Sequence, residues 1–253
     1  MKKMLFVGAL ALLTTLSFAA TTNCPQFYFN GDAPSIENQK LTQKTKELCF
    51  EAYGVMHSGL SKTPLWSAEY LVRENLESKP SRKDVFHEES RLPKGERSEL
   101  SDFVKSGMDR GHLSPSADFS TPTAQAESFS LANMIPQIHE NNAGIWSDIE
   151  SATRYLAKKE GSVYVITGPL FIGEHIRSIG SGVLVPTFIY KIVFSTKQNK
   201  GAAYITENAP GREYRVVSIK ELESLAGINF FPKMSEIQKS DKLLLPEPKQ
   251  QKH

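Results

Sequence analysis

The chain has 253 residues, 40% of them hydrophobic, which is enough to bury a large core in one domain or two. Its formal net charge is +2, and without Lys2 and Lys3 of an N-terminal leader 28 basic residues balance 28 acidic ones. Overall charge therefore excludes bulk attraction to a polyanion, and any affinity for phosphate must come from local clusters.

The N-terminus is read first. Lys2 and Lys3 precede an apolar run from Met4 to about Leu16, followed by the small residues Ser17, Ala19 and Ala20. This is the layout of a signal peptide over residues 1–19, too short and wrongly flanked for a membrane span. The alternative is a buried N-terminal helix. Export would place the mature protein in the periplasm or outside the cell. No later segment is apolar over a bilayer's thickness, so no stable membrane association is expected. Cys24 and Cys49 are the only cysteines. In an oxidising destination they are expected to form one structural disulfide, and they lack the His or Cys neighbours of a zinc site.

Residues 50–75 alternate Tyr, Val, Trp and Leu around a turn and predict two strands. Residues 77–105 are polar, carry Pro80, Pro93 and Gly95, and predict a long loop of the kind that often bears function. Ile145, Ile149, Ala152 and Leu156 make a helical core stripe, with Lys158 and Lys159 in the last turn and Gly161 to stop it. A buried strand over 161–171, a strand pair at 185–195 and 201–208, and a short helix near 218–231 follow. Strands and helices mix without βαβ alternation. Residues 20–240 are thus expected to form one α+β domain on a largely antiparallel central sheet flanked by helices. The polar, proline-bearing residues 241–253 are expected to be a flexible tail.

Within "SGMDRGHLSPSADF", residues 106–119, Asp109, Arg110 and His112 crowd around Gly111. Imidazole can accept a proton near neutral pH, a guanidinium fork can grip two phosphate oxygens, and glycine lets backbone approach a ligand. A surface turn with an incidental His and Arg explains the same residues equally well. Asn142, Trp146 and Glu150 are spaced i, i+4, i+8 along one side of the predicted helix. An amide oxygen and a carboxylate two turns apart suit a hard cation such as Mg²⁺, which keeps most of its waters. The plain alternative is a helix cap at Asn142 and a solvated Glu150. No His-x-x-x-His pair or Asp-rich cluster supports a transition-metal cage.

"DRGHLSP" followed by "NMIPQIHENNAGIWSDIE" resembles the signature of the DNA/RNA non-specific endonucleases of the ββα-metal class. The match is tight over residues 105–150 and looser from "SKTPLWSAEYL" to "VYVITGPLF". The resemblance implies a ββα-metal nuclease fold and action on DNA and RNA through the phosphate backbone. The cofactor would be Mg²⁺, for which Mn²⁺ or another divalent cation substitutes. His112 would be the general base, Asn142 the direct metal ligand, and Glu150 the holder of a metal-bound water. Arg110 would stabilise transition-state charge, and Arg82, in "SRKDVF", would be a second phosphate contact. Asp109, Gly111, Asn133 and Gln137 would support the site. Trp146 has a simpler role as a core anchor of its helix. Met108 and Ser114 depart from the family pattern. Asn141 beside Asn142 leaves a register ambiguity that the four-residue distance to Trp146 decides for Asn142. Dimers occur in the family, so a homodimer is compatible with the resemblance. Two other function classes stay open: a nucleic-acid-binding or uptake protein on a nuclease scaffold, and a phosphodiesterase of small substrates.

Overall fold

Runs rich in β-branched and aromatic residues pair into one antiparallel sheet in the computed structural model, which describes residues 21–78 and 80–250. The expected signal peptide, residues 1–19, lies outside the described residues. In chain order the main strands are β1 (Thr45–Cys49), β2 (Tyr53–Ser58), β3 (Thr63–Val72), β4 (Asp109–His112), β5 (Met134–Gln137), β6 (Ser162–Leu170), β7 (Phe188–Ser195), β8 (Lys200–Glu207) and β9 (Tyr214–Val217). Seven of them form the sheet in the order β9-β8-β7-β6-β3-β2-β1, and β4 pairs with β5 as a separate ribbon. The helices are α1 (Pro122–Glu127), α2 (Ser147–Glu160), α3 (Ile219–Ala226) and α4 (Glu236–Ser240).

Period-two alternation along the central strands sorts side chains onto two faces. From β7, Tyr190, Ile192 and Phe194 join Trp66, Ile166 and Phe230 in one core. Ile189 and Val193 join Trp146, Ile149 and Leu156 in the other. Helix α3 supplies Ile219 and Leu222 to the first face, and a Ser218–Glu221 capping box starts it. Helix α2 covers the second face with the predicted stripe: Ile145, Ile149, Ala152 and Leu156 are all buried. Gly161, at φ 98°, ends it. No helix among the described residues is long and apolar enough to cross a membrane.

Three expectations are corrected. The Asp109–His112 stretch is not a surface turn but strand β4, with Asp109 opposite Gln137 and His112 opposite Met134. The helix bearing Asn142 is not regular. It starts at His139–Asn141, widens into a π turn at Asn142–Trp146 where Gly144 leaves helical geometry, and resumes as α2. Asn142 is therefore no cap, and its register to Glu150 is not that of an ideal α-helix. The tail is the third. Leu243 and Leu245 are buried against the helix-side core, Leu243 N donates to the Gly201 carbonyl, and the Tyr204 hydroxyl donates to the Pro246 carbonyl. Residues 241–246 are thus part of the packed domain.

Cys24 and Cys49 are joined, with a Cα–Cα distance of 5.8 Å across a sequence separation of 25. The bridge fastens the segment before the sheet to edge strand β1. Closing a loop of this size stabilises by about 3 kcal/mol in the chain-entropy account. A Cys24→Ser/Cys49→Ser variant is expected to lose a stability of that order in urea denaturation. An unchanged midpoint would show that the N-terminal arm is held by its other contacts alone.

Candidate active site

The site is built on ribbon β4–β5 and the helical segment that follows it. At Gly111 the Gln137 side chain of β5 packs against the β4 backbone. A Cβ placed there would lie 2.7 Å from the Gln137 Cβ, well inside contact distance. Glycine is called for here by the Gln137 side chain, independently of any ligand. Gln137 in turn donates from Nε2 to Asn141 Oδ1 at 2.7 Å. Asn141 is fully buried, and its Nδ2 donates to Thr206 Oγ1 and to the Glu207 carbonyl. Every polar atom of the Asn141 amide is thus engaged.

Asn142 is half-buried and has one side-chain bond: its Nδ2 donates to Asp109 Oδ2 at 2.9 Å. That bond commits the amide nitrogen and leaves Oδ1 to serve as a ligand atom. Asp109 also meets His139 Nδ1 at 2.9 Å. The exposed His139 has its pKa raised, first by that hydrogen bond and then by the carboxylate charge. Asp109 therefore does more than shape its own strand, because it ties β4 to the π turn. Asn133 holds the chain just after His112: its backbone carbonyl accepts from Leu113 N, its Oδ1 from Ser114 N, and its Nδ2 donates to the Ser114 and Ser128 carbonyls.

His112 is partly covered by aromatic rings, with Phe129 edge-on at 5.0 Å and Phe86 at 5.9 Å between centroids. Its Nε2 is buried without a hydrogen-bond partner. Burial, then the positive charge of Arg82, lowers its pKa to about 3, against a weaker pull from Asp84. The imidazole is neutral throughout the physiological range. Arg110 lies between Phe86 and Phe103, its guanidinium carbon 5.0 and 5.3 Å from the ring centroids, and its buried Nε has no partner. Arg82 is exposed, pairs with Asp84 at 2.6 Å, and lies 5.5 Å from the Phe129 ring. The long loop is pinned by backbone bonds from His87 N to the Phe129 carbonyl and from Leu131 N to the His87 carbonyl. That anchorage delivers Arg82 and Phe86 to His112.

Glu150, one turn into α2, has its pKa raised to about 7 by burial. Arg154, Lys191 and Arg82 oppose that rise, and Asp118 adds to it. Arg82 acts on both His112 and Glu150, so strand, loop and helix share one electrostatic neighbourhood. Trp146 is buried in the helix-side core, where it anchors the helix. Arg154, Phe86 and Lys191 were not singled out from the sequence. Arg154 sits four residues after Glu150, a helical spacing that could have flagged it, and its Nη1 meets Asp118 Oδ1 at 2.8 Å. Phe86 lies inside the quoted "SRKDVF" segment.

The groups suit a hard divalent cation and its waters: the Asn142 amide, whose nitrogen is tied to Asp109 so that its oxygen is available, and the Glu150 carboxylate. Among the described residues the one group of three clustered His, Cys, Asp or Glu ligands is Cys24, Glu47 and Cys49, whose sulfurs are bonded to each other. A Gly111→Ala variant is expected to lose about 1–3 kcal/mol of stability, the scale of overpacking. Thermal unfolding checks this, and a wild-type midpoint would refute the tight Gly111–Gln137 contact.

The sequence model of the DNA/RNA non-specific endonuclease family matches residues 31–236. The mitochondrial nuclease EXOG of Danio rerio is 34% identical over 202 residues, covering 71% of this chain and 59% of that protein. Nuclease C1 of Cunninghamella echinulata var. echinulata is 30% identical over 73% of this chain and 82% of its own length. A solved structure of endonuclease G with its inhibitor EndoGI aligns at a TM-score of 0.70 and 25% identity, over 78% of this chain and 91% of that one. The chain therefore has the ββα-metal nuclease fold of endonuclease G. It spans under 60% of the length of the EXOG proteins that it matches.

Proposed function

The chain belongs to the DNA/RNA non-specific endonuclease family, and from that premise we propose that it is an exported, Mg²⁺-dependent endonuclease hydrolysing phosphodiester bonds of DNA and RNA. The observation that carries this reading is the Asp109–Asn142 bond, which holds an oxygen ligand beside the strand of a neutral histidine. When bound, the divalent cation supplies Lewis-acid polarisation of the phosphate and stabilises the leaving oxygen. Mn²⁺ serves in the same site. Asn142 Oδ1 would hold it directly, and ionised Glu150 would accept hydrogen bonds from its water.

His112 takes a proton from the attacking water. Its Nε2 is enclosed, so the base acts through Nδ1. Arg110 and Arg82 offer guanidinium N–H groups to the phosphate, and the ring pair around Arg110 keeps its fork in place. These contacts engage backbone oxygens and read no base edge, which supports weak sequence preference and action on either sugar. Plasmid DNA and RNA are expected to be digested with Mg²⁺ or Mn²⁺ and spared with EDTA. His112→Ala is expected to cost about 10²–10⁴-fold in rate while DNA binding persists. Intact polymers under all metal conditions would sink the proposal, and activity on small phosphodiesters alone would replace it.

The pH dependence follows from the two titrating groups. Glu150 gains a proton as pH falls through about 7, whereas His112 stays neutral down to about 3. Thus kcat is expected to rise with pH through about 7, with no second acid limb above pH 4. A flat profile between pH 5 and 8 would remove Glu150 from the reaction.

Export is also proposed. The Lys2–Ala20 leader layout supports it, and so does the Cys24–Cys49 bridge, which suits an oxidising compartment. The EXOG and endonuclease G relatives are named as mitochondrial. N-terminal sequencing of the protein recovered from a periplasmic or culture fraction is expected to begin at Ala20. An unprocessed cytoplasmic product would contradict export.

A further inference from the structure

Three polar side chains form one cross-strand row on the helix-facing side of the sheet, where alternation calls for apolar ones. Ser67 of β3 is registered with Thr167 of β6, and Thr167 with Lys191 of β7. All three are buried, Lys191 at 1% exposure between Ile189 and Val193 on the same face. The row lies directly beneath the residues that follow His112. Ser67 Oγ and Ser114 Oγ share a 2.7 Å hydrogen bond. Lys191 Nζ donates to the Leu113 carbonyl at 3.1 Å and to Thr167 Oγ1 at 2.7 Å. The same ammonium lies 5.4 Å from the Trp146 ring centroid, on the π turn that begins with Asn142.

A buried ammonium whose hydrogen-bond partners are neutral oxygens is costly, and an apolar side chain of similar length usually serves stability as well or better. Packing therefore does not account for a lysine at this position. We infer that Lys191 is a positioning residue of the nuclease site, fixing the chain just after His112 against the turn and helix that carry Asn142 and Glu150. Its charge has a second effect. Glu150 is faced by Arg154 from its own helix, Lys191 from β7, Asp118 from the turn after β4 and Arg82 from the loop. Glu69 of β3, buried and without a hydrogen-bond partner, shares the field of Asp118, Lys191, Glu150 and Arg154. Lys191 favours the ionised form of both glutamates. Its removal leaves Glu150 harder to ionise.

This inference rests on the nuclease reading, so wild type is assayed beside Lys191→Met, Lys191→Arg and Thr167→Val. Folded Lys191→Met is expected to lose about 10–100-fold in kcat, the scale of a small misplacement of reacting groups. Its KM should stay within roughly twofold of wild type, since phosphate binding is untouched. Its acid limb should move to higher pH, and Lys191→Arg should return that limb towards the wild-type position. Should Lys191→Met fail to fold, Thr167→Val decides, because it keeps the ammonium and removes one of its two anchors. A lower kcat at the wild-type melting temperature supports the inference, and a wild-type kcat overturns it. Active wild type with an unchanged kcat and pH profile in folded Lys191→Met refutes the role of Lys191 alone. Inactive wild type refutes the nuclease reading, and this role falls with it.

Discussion

Four residue pairs set the geometry of the site. Strand β4 lies antiparallel to β5 with Asp109 opposite Gln137, Arg110 opposite Pro136, Gly111 opposite Ile135 and His112 opposite Met134. A slip of one residue would turn Arg110 and His112 together to the other face of the ribbon, since side-chain direction alternates with period two. Gly111 and Gln137 interlock, so the register is marked sterically at one point. From Gln137 the chain runs through only four residues to Asn142, and the Asp109–Asn142 bond closes the circuit. His112, the proposed base, and Asn142, the proposed ligand, are thereby separated by one short ribbon and one hydrogen bond.

The π turn follows from that closure. A regular helix from His139 would bring successive side chains round at the α-helical pitch. The widened turn at Asn142–Trp146, with Gly144 outside helical geometry, changes the phase between Asn142 and Glu150 while Trp146 stays buried. Widened turns of this kind carry a local cost in hydrogen bonding, and here it coincides with the residues assigned to the metal. The electrostatics show the same compromise. Glu69, Asp118, Glu150, Arg154 and Lys191 occupy the face of the sheet that α2 covers, and Glu69 has no hydrogen-bond partner. The side around Trp66, Tyr190 and Phe230 has a paired group instead: the buried Lys239 meets Glu223 at 3.0 Å, and Glu223 accepts a hydrogen bond from Phe230 N.

Family membership was more legible in the sequence than local structure. Aromatic and β-branched runs exposed the strands at 162–170, 188–195 and 200–207, and the Ile145–Leu156 stripe exposed the helix. Asp109–His112 has none of those residue types. It becomes a strand because Met134–Gln137, more than twenty residues away, pairs with it, and single-sequence propensity does not register such a partner. The end of the domain was hidden in another way. Pro246 and the lysines around Leu243–Leu245 suggest a tail, yet two of the three leucines fill the core beside Tyr204. Lys191 was invisible for the opposite reason: a single charge in "FIYKIVFS" looks like an outward-facing position until the register places it inward.

In the proposed nuclease, the placement of Arg110 and Arg82 would separate substrate capture from reaction geometry. Arg110 belongs to the ribbon, and its guanidinium is packed between Phe86 and Phe103. Arg82 sits on an exposed loop, held by Asp84 and the Phe129 face. A half-buried guanidinium packed between two rings is pre-organised and loses little freedom on meeting a phosphate, whereas the exposed one would exchange its Asp84 partner for the substrate. Changes in the loop can therefore alter which strands are captured while β4, β5 and α2 keep the reacting groups in place. With a formal net charge of only +2 over the chain, such local placement is how the proposed nuclease would hold a polyanion.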